Sequence, residues 1–459
     1  MSIAQTDIAA GPQQEMATDW RLRITEGGAL LRLATPIMLI ALVNMGMSVT
    51  DTLMVSMLFG TDALAAVAVG SDLYSIVFYL CAGTLGGVAP FYAAAVARAD
   101  AGDRARLERI GWMMVGLLAV AAVPLVWFAP AWLRHFGLEP GLLDSGAGYT
   151  RSMALTLIPM LGVTLYRTVL TAAENPKVFL RVTLAMLPLN AAGNYVLMLG
   201  VGPIPAFGPL GAGLSTLLVA VASLAILLLM ARRAAGAAQS SGAPLDWHGL
   251  AAVLRVGIPI GITMVTETGI YLAVTLYAAT LGAVDVAAHT LTLRMAGIVY
   301  AGSAGLQQAA MVRMARAGGL EDAAAGRAIL ASSLILSSGA GVVCCLLLAG
   351  GAYPLATWFF DASAAGTAAV QVAVGLLILL GLLQFVGYPG LAALGLLRGC
   401  KDTRVPMIYK LIAYWVIGAP LGVYLCEMQA LGVTGLWIGL LAGAFLTTVL
   451  ALGRLLARP

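Results

Sequence analysis

Five polar side chains stand where an apolar run needs none. Glu267 is the sole charge in GIPIGITMVTETGIYLAVTLYAATLG, residues 257–282. Asp51 ends the run TPIMLIALVNMGMSVTD, Asp72 follows in GSDLYSIV, and MLPLNAAGNYVLML carries Asn190 and Asn194. Each run is long enough to cross ~30 Å of hydrocarbon as a helix. A charge at that depth costs ~2.5–3.5 kcal/mol on insertion scales, so a chain that keeps one generally uses it. Two kinds of chemistry suit a carboxylate beside amides. It can take up and release a proton, or it can join the amide oxygens in holding a hard cation such as Na+.

Spacing groups these residues. Asn190 and Asn194 are four apart and share one helix face. At a rise of ~1.5 Å per residue, Asn194, Asp51 and Asp72 reach about the same depth. Asp51, Asn190 and Asn194 therefore read as one cation or proton site, with Asp72 as a secondary acid. Glu267 comes out near mid-membrane, level with Arg294 when that residue is counted from the opposite side, so a pair between them is an expectation. Asn44, Tyr271 and Tyr388 are candidates for a substrate cavity, the aromatics by stacking on a flat organic molecule.

The elements that must position these groups follow from composition. Of 459 residues, 61% are hydrophobic and 10% charged, against about 25% charged in a soluble domain. The fold class is an all-α polytopic membrane protein. A helix-sized window finds twelve apolar runs, at 33–58, 63–97, 110–133, 150–172, 182–201, 209–231, 256–281, 286–311, 328–350, 366–397, 405–426 and 433–452. If the N-terminus is cytoplasmic, the inner connections hold nearly all Arg and Lys, and the outer ones hold only Arg134 and Arg151. Both termini are then cytoplasmic by the positive-inside rule.

The polar stretch 232–250 divides the runs six and six. Residues 35–68 align without gaps on 258–291, matching Pro36 with Pro259, Gly46 with Gly269, Thr52 with Thr275 and Asp62 with Asp285. Even-numbered halves insert in the same sense, so the repeat is parallel, with a pseudo-twofold axis along the membrane normal and substrate between the lobes. The expected organisation is a cytoplasmic tail (1–28), an N-lobe (29–231), a cytoplasmic linker (232–250) and a C-lobe (251–459). Glu267 falls opposite Asn44, and Asp51 opposite Val274, so each lobe has its acid at its own place.

Several functions are disfavoured by what the sequence lacks. There is no GxxxxGK[ST] loop for ATP, and three His without HExxH or GxSxG give an intramembrane enzyme little to work with. The five Cys show no paired CxxC spacing and read as free hydrophobes.

Taken in order, TPIMLIALVNMGMSVTDTLMV, PLNAAGNYV, GIPIGITMVTE, VDVAAH, GLQQAAMVRMARAGG and LRGCKDT make the chain similar to multidrug and toxic compound extrusion (MATE) transporters. The resemblance covers nearly all the chain after the tail. It implies a bacterial drug/cation antiporter in the inner membrane, with Asp51, Asn190 and Asn194 handling cation or proton in the N-lobe and Glu267 in the C-lobe. Where many relatives carry an acid in the tenth span this chain has Gly387, and where some carry Asp it has Asn194. A two-carboxylate Na+ site in the C-lobe is not supported by that pattern.

The expected function is secondary active efflux of organic compounds, cationic and aromatic, in exchange for H+ or Na+. No cofactor, nucleic acid or obligate protein partner is implied, and the expected state is a monomer in the lipid bilayer. The alternative is a lipid-linked precursor flippase of the same superfamily. That function calls for a basic cavity, and by linear position Arg294 is the only basic residue deep in a span, with Arg167 and Lys410 nearer the ends.

Overall fold

The computed structural model describes residues 12–137, 139–235 and 246–457. Twelve long helices carry the fold: α1 (Trp20–Gly60), α2 (Asp62–Ala97), α3 (Ala101–Trp127), α4 (Pro140–Ala172), α5 (Pro176–Leu199), α6 (Leu210–Ala231), α7 (Trp247–Ala278), α8 (Ala283–Gly319), α9 (Ala323–Phe359), α10 (Ala364–Gly399), α11 (Arg404–Glu427) and α12 (Val433–Leu456). Eleven are long and apolar enough to span a membrane on length and composition. The exception, α8, is as long as its neighbours, but Arg294, Gln307, Gln308, Arg313 and Arg316 dilute its apolar surface.

The helices outrun the apolar windows, because their end turns are polar and continue past the hydrocarbon. Helical structure starts at Pro12, so residues 12–28 of the expected tail extend α1. At the linker, Trp247–Leu250 already belong to α7, while residues 236–245 lie outside the described set. The third window's end at 133 overshoots: α3 stops at Trp127, and Ala129–Leu133 form a separate short helix with Pro130 in its first turn.

Corners repeat between the halves. Gly60 and Gly282 break the chain after α1 and α7 with φ of 82° and 123°. Left-handed residues recur at Ala99 and Glu321, at Glu174 and Lys401, and at Gly208 and Gly432, after α2 and α8, α4 and α10, and α5 and α11. Asp100 and Asp322, each next to such a corner, cap the following helix by accepting from Asp103 N and Ala325 N. The same backbone solution at matched connections is what a parallel repeat of six helices requires.

Proline lies inside nine of these spans, at Pro36, Pro90, Pro124, Pro159, Pro188, Pro259, Pro354, Pro389 and Pro420. Neighbouring helices supply what the broken ladders lose, which is why membrane helices tolerate them.

The two halves meet along two seams. On α2 and α7, Gly83 and Gly87 face Gly261 and Gly257, and a methyl placed on either α2 glycine would come within 2.6 Å of a Cα opposite. On α1 and α8, Met38 packs against Gly302 and Gly305, and Met45 against Gly297. Small residues at four-residue spacing let backbones touch where no hydrophobic drive exists between helices. Both seams run from the end that holds the N-terminus to about Met45. Beyond that point Asn44, Ser48 and Thr52 form an exposed polar stripe on the same side of α1 as Met45. Among the described residues no glycine contact between the lobes is found on the Gly60 side of Met45.

Candidate functional site

In the N-lobe, Asn194 Nδ2 donates to Asp51 Oδ1 at 2.5 Å, joining α5 to α1. Asn190 and Asn194 are 1% and 0% exposed. Yet Asn190 Oδ1 and Asn194 Oδ1 have no hydrogen-bond partner among the described residues, while the Asn190 amide lies within reach of the Asp51 carboxylate. Buried amides are nearly always satisfied, so two orphaned carbonyl oxygens beside a carboxylate mark a place built to receive something. Gly193 makes it possible, since a methyl there would sit 2.5 Å from Ser215 Oγ of α6. That hydroxyl donates to the Asn190 backbone carbonyl at 3.1 Å and fixes the helix turn bearing both amides. Tyr149 of α4 lies within electrostatic reach of both Asp51 and Asp72. Asp72 itself is exposed and outside the bonded cluster.

In the C-lobe, Glu267 does not pair with Arg294. Its Oε2 lies 2.6 Å from Lys410 Nζ, on side chains 18% and 2% exposed. Tyr300 donates to the same oxygen at 3.4 Å. Height alone suggested Arg294, but azimuth decides: six residues separate it from Tyr300, a turn of about 120° around α8. With Tyr300 on Glu267, Arg294 points away and is exposed, without an ion pair among the described residues. Lys410 was legible only as the single cation inside the eleventh run.

A π-helical stretch, Ile412–Gly418, follows Lys410 at once. It places the Tyr414 ring 6.0 Å from Lys410 Nζ, and Trp415 Nε1 donates to Thr266 O at 3.1 Å, pinning α11 beside Glu267. Such bulges gather at functional positions. Glu267→Gln should strip the counter-charge from a lysine that is 2% exposed. The expected cost is about 3–5 kcal/mol, seen as a lower midpoint of thermal unfolding in detergent. Adding Lys410→Met should restore most of it, and a double-mutant cycle measures the coupling.

Other candidates resolve differently. Tyr388 is 6% exposed and donates to Val299 O at 2.9 Å, a strut between α10 and α8 and not a cavity wall. Tyr271 is half-buried within reach of Glu267, and Asn44 lies on the polar stripe of α1. His289 is a packing residue. Its Nδ1 accepts from Trp437 Nε1 at 3.2 Å, which leaves Nε2–H to meet Thr275 Oγ1 at 2.9 Å.

At the sealed end the lobes are also latched by charge. Arg313 of α8 reaches Glu26 through both its Nε and a terminal nitrogen at 3.0 and 2.6 Å, and Glu174 through the other at 2.7 Å. Lys401 Nζ stands 4.3 Å above the Phe91 ring, and Arg106 lies 2.5 Å from Asp246. The Gly249 N–H and the Arg106 guanidinium together hold the Asp246 carboxyl below its usual range. The sequence offered no means of pairing Arg313 with Glu26, 287 positions apart.

Two lobes, a parallel repeat, an acid–amide pocket in one lobe and a buried acid in the other converge on one comparison. The MatE family model matches residues 36–196 and 259–424, one segment in each half. The chain belongs to the MatE family. It is 32% identical over 426 residues to the probable multidrug resistance protein NorM of Bradyrhizobium diazoefficiens, covering 90% of each chain. It is 31% identical to that of Deinococcus radiodurans, covering 94% of this chain and 95% of the relative. The fold is that of the eukaryotic MATE transporter AtDTX14, with a TM-score of 0.84 at 17% identity over 95% of this chain and 97% of that one. A MOP superfamily transporter from Pyrococcus furiosus aligns at 0.80 and 17% identity over 94% and 96%. Like its family, this MatE protein is a transporter and not an enzyme.

Proposed function

We propose that this MatE protein is a secondary active multidrug efflux transporter that moves organic compounds out of a bacterial cell in exchange for H+ or Na+. The observation that carries the exchange is the Asp51 carboxylate bonded to Asn194 and within reach of Asn190, with the two unpartnered amide oxygens of Asn190 and Asn194 beside it. Such a pocket can take a proton on the acid, or a cation among the oxygens. Glu267, tied to Lys410, is a second charged centre in the other lobe. The relatives, multidrug resistance proteins, support efflux over a lipid-linked flippase.

In this reading the N-lobe is 29–231 and the C-lobe 251–459. The latched end faces the cytoplasm of a cell whose inner membrane the protein spans, as the distribution of Arg and Lys favours. The conformation is then outward-open, and the protein works as a monomer without a cofactor. A bound ion can drive substrate uphill only by favouring one facing state, since equal affinity for both shifts nothing.

The potential alone supplies ~2.3 kcal/mol per charge per 100 mV, enough for modest accumulation with one coupled cation. In proteoliposomes with separately imposed Na+ and pH gradients, one gradient or both should drive uphill dye transport. With both collapsed and ATP present it should stop. Continued uphill transport would sink the antiporter reading.

A further inference from the structure

Resting on the transporter reading, we propose that Lys410 is the resident cation of Glu267, a tethered ammonium that holds the C-lobe acid as an exchangeable ion would, so that ion exchange runs through Asp51 alone. The register of the two lobes carries it. Asn194 stands 143 positions after Asp51, and Lys410 stands 143 positions after Glu267. Because α1 aligns on α7 without gaps, one common step means that the two bonds join matched helices, α1 to α5 and α7 to α11, in the same register. Carried through the repeat, Glu267 and Lys410 fall on Asn44 and Leu187, while Asp51, Asn190 and Asn194 fall on Val274, Ala413 and Ile417. Acid and cation are present together at one level of the C-lobe and absent together from the matching level of the N-lobe. The oxygens run the other way. Ala413 and Ile417 bring no side-chain oxygen, and a hard cation needs several.

The ammonium is built in. Lys410 Nζ lies 2.6 Å from Glu267 Oε2 on a side chain 2% exposed, and Tyr300 donates to the same oxygen at 3.4 Å. Trp415 rivets α11 to α7 next to the acid. Its Nε1 donates to Thr266 O at 3.1 Å, and a methyl on Gly269 would sit 3.3 Å from its ring. Helix α11 therefore cannot carry Lys410 away from Glu267 without unseating Trp415, and parting the pair would leave two buried charges uncompensated. The other ionisable groups within reach of Glu267 are Tyr271 of α7, Tyr300 of α8, Arg398 of α10 and Tyr414 of α11. None is an acid that could share an ion with it. At Asp51 the bonded partner is a neutral amide, which donates a hydrogen and leaves the charge to be met by a mobile ion.

The test is equilibrium binding of ethidium, a flat aromatic cation, to the purified full-length protein over a grid of pH and Na+. Asp51→Asn should lose the ion dependence of the wild type, because no other acid of the two pairs is open to an ion. Asp51→Asn combined with Lys410→Gln should regain it, with affinity changing about fivefold or more across the grid, as Glu267 then meets H+ or Na+ in place of the ammonium. Asp51→Asn with Lys410→Arg keeps a cation at that place and should stay flat within about twofold. A lysine that merely packs would not separate Gln from Arg in this way. An ion dependence that persists in Asp51→Asn overturns the proposal, and this near-isosteric variant decides it even if the protein with Lys410→Gln fails to fold. A folded Asp51→Asn, Lys410→Gln protein whose affinity stays flat overturns it as well. If the wild type still drives ethidium uphill in either case, only this inference fails. If no gradient moves ethidium, the transporter reading falls, and the binding grid still decides the place of Lys410.

Discussion

Asp51→Asn is expected to leave substrate binding intact while abolishing the dependence of that binding on H+ or Na+. The substituted amide keeps the shape of the carboxyl and still offers an oxygen to Asn194 Nδ2, which now meets Asp51 at 2.5 Å. What it loses is the charge. Coupling between two ligands is reciprocal and of order 1–3 kcal/mol, or about 5–150-fold in affinity. Removing the ion's contribution should flatten substrate affinity across pH and Na+ by that factor and bring uphill transport to the level of empty liposomes. The measurement is equilibrium substrate binding to purified Asp51→Asn, wild type and Asn194→Ala over a grid of pH and Na+. An ion dependence unchanged in Asp51→Asn would leave Glu267 to carry coupling alone.

The second large effect is expected at Arg313. Its guanidinium binds Glu26 through two nitrogens and Glu174 through a third, on side chains 18%, 8% and 28% exposed. Taking away one partner of a buried ion pair costs about 3–5 kcal/mol, because the other charge stays buried without compensation. These groups lie on opposite lobes at the sealed end, so the loss can be relieved by opening that end. Arg313→Gln should therefore increase the separation of spin labels placed across the sealed end, and lower the unfolding midpoint less than a purely structural ion pair would. Glu26→Gln combined with Arg313→Gln should recover stability but not the closed geometry. Labels that stay at wild-type distance in Arg313→Gln would show that the glycine seams alone keep the end shut.

The apolar runs made the number of spans, the repeat and the axis between lobes readable, since each depends on composition along the chain. Asp51, Asn190 and Asn194 were readable as a group because depth and an i, i+4 face brought them together, and the structure places Asn194 on Asp51. Glu267 was readable as an intramembrane acid, but its partner was not. Depth gives height without rotation, and a π-helical stretch such as Ile412–Gly418 changes rotation without any sequence signature. Arg398 stands in the last turn of α10, yet it is 8% exposed and lies within reach of Glu267. Its neighbours do form corner contacts, Lys401 on Phe91 and Asp402 on Arg454 at 2.6 Å.

The α2–α7 seam has a kinetic consequence. Gly83 and Gly87 meet Gly261 and Gly257 backbone to backbone, with the side chains of Leu80, Thr84 and Met264 reaching across beside them. Surfaces that interdigitate must unlock rotamers before they part, and each such step adds to a barrier. The glycines have no rotamers of their own to unlock, so where they meet they behave as a low-friction bearing. Resistance to the lobes' rocking is then concentrated at the ends of the track, in the Arg313 cluster, while the track itself sets only the direction of motion.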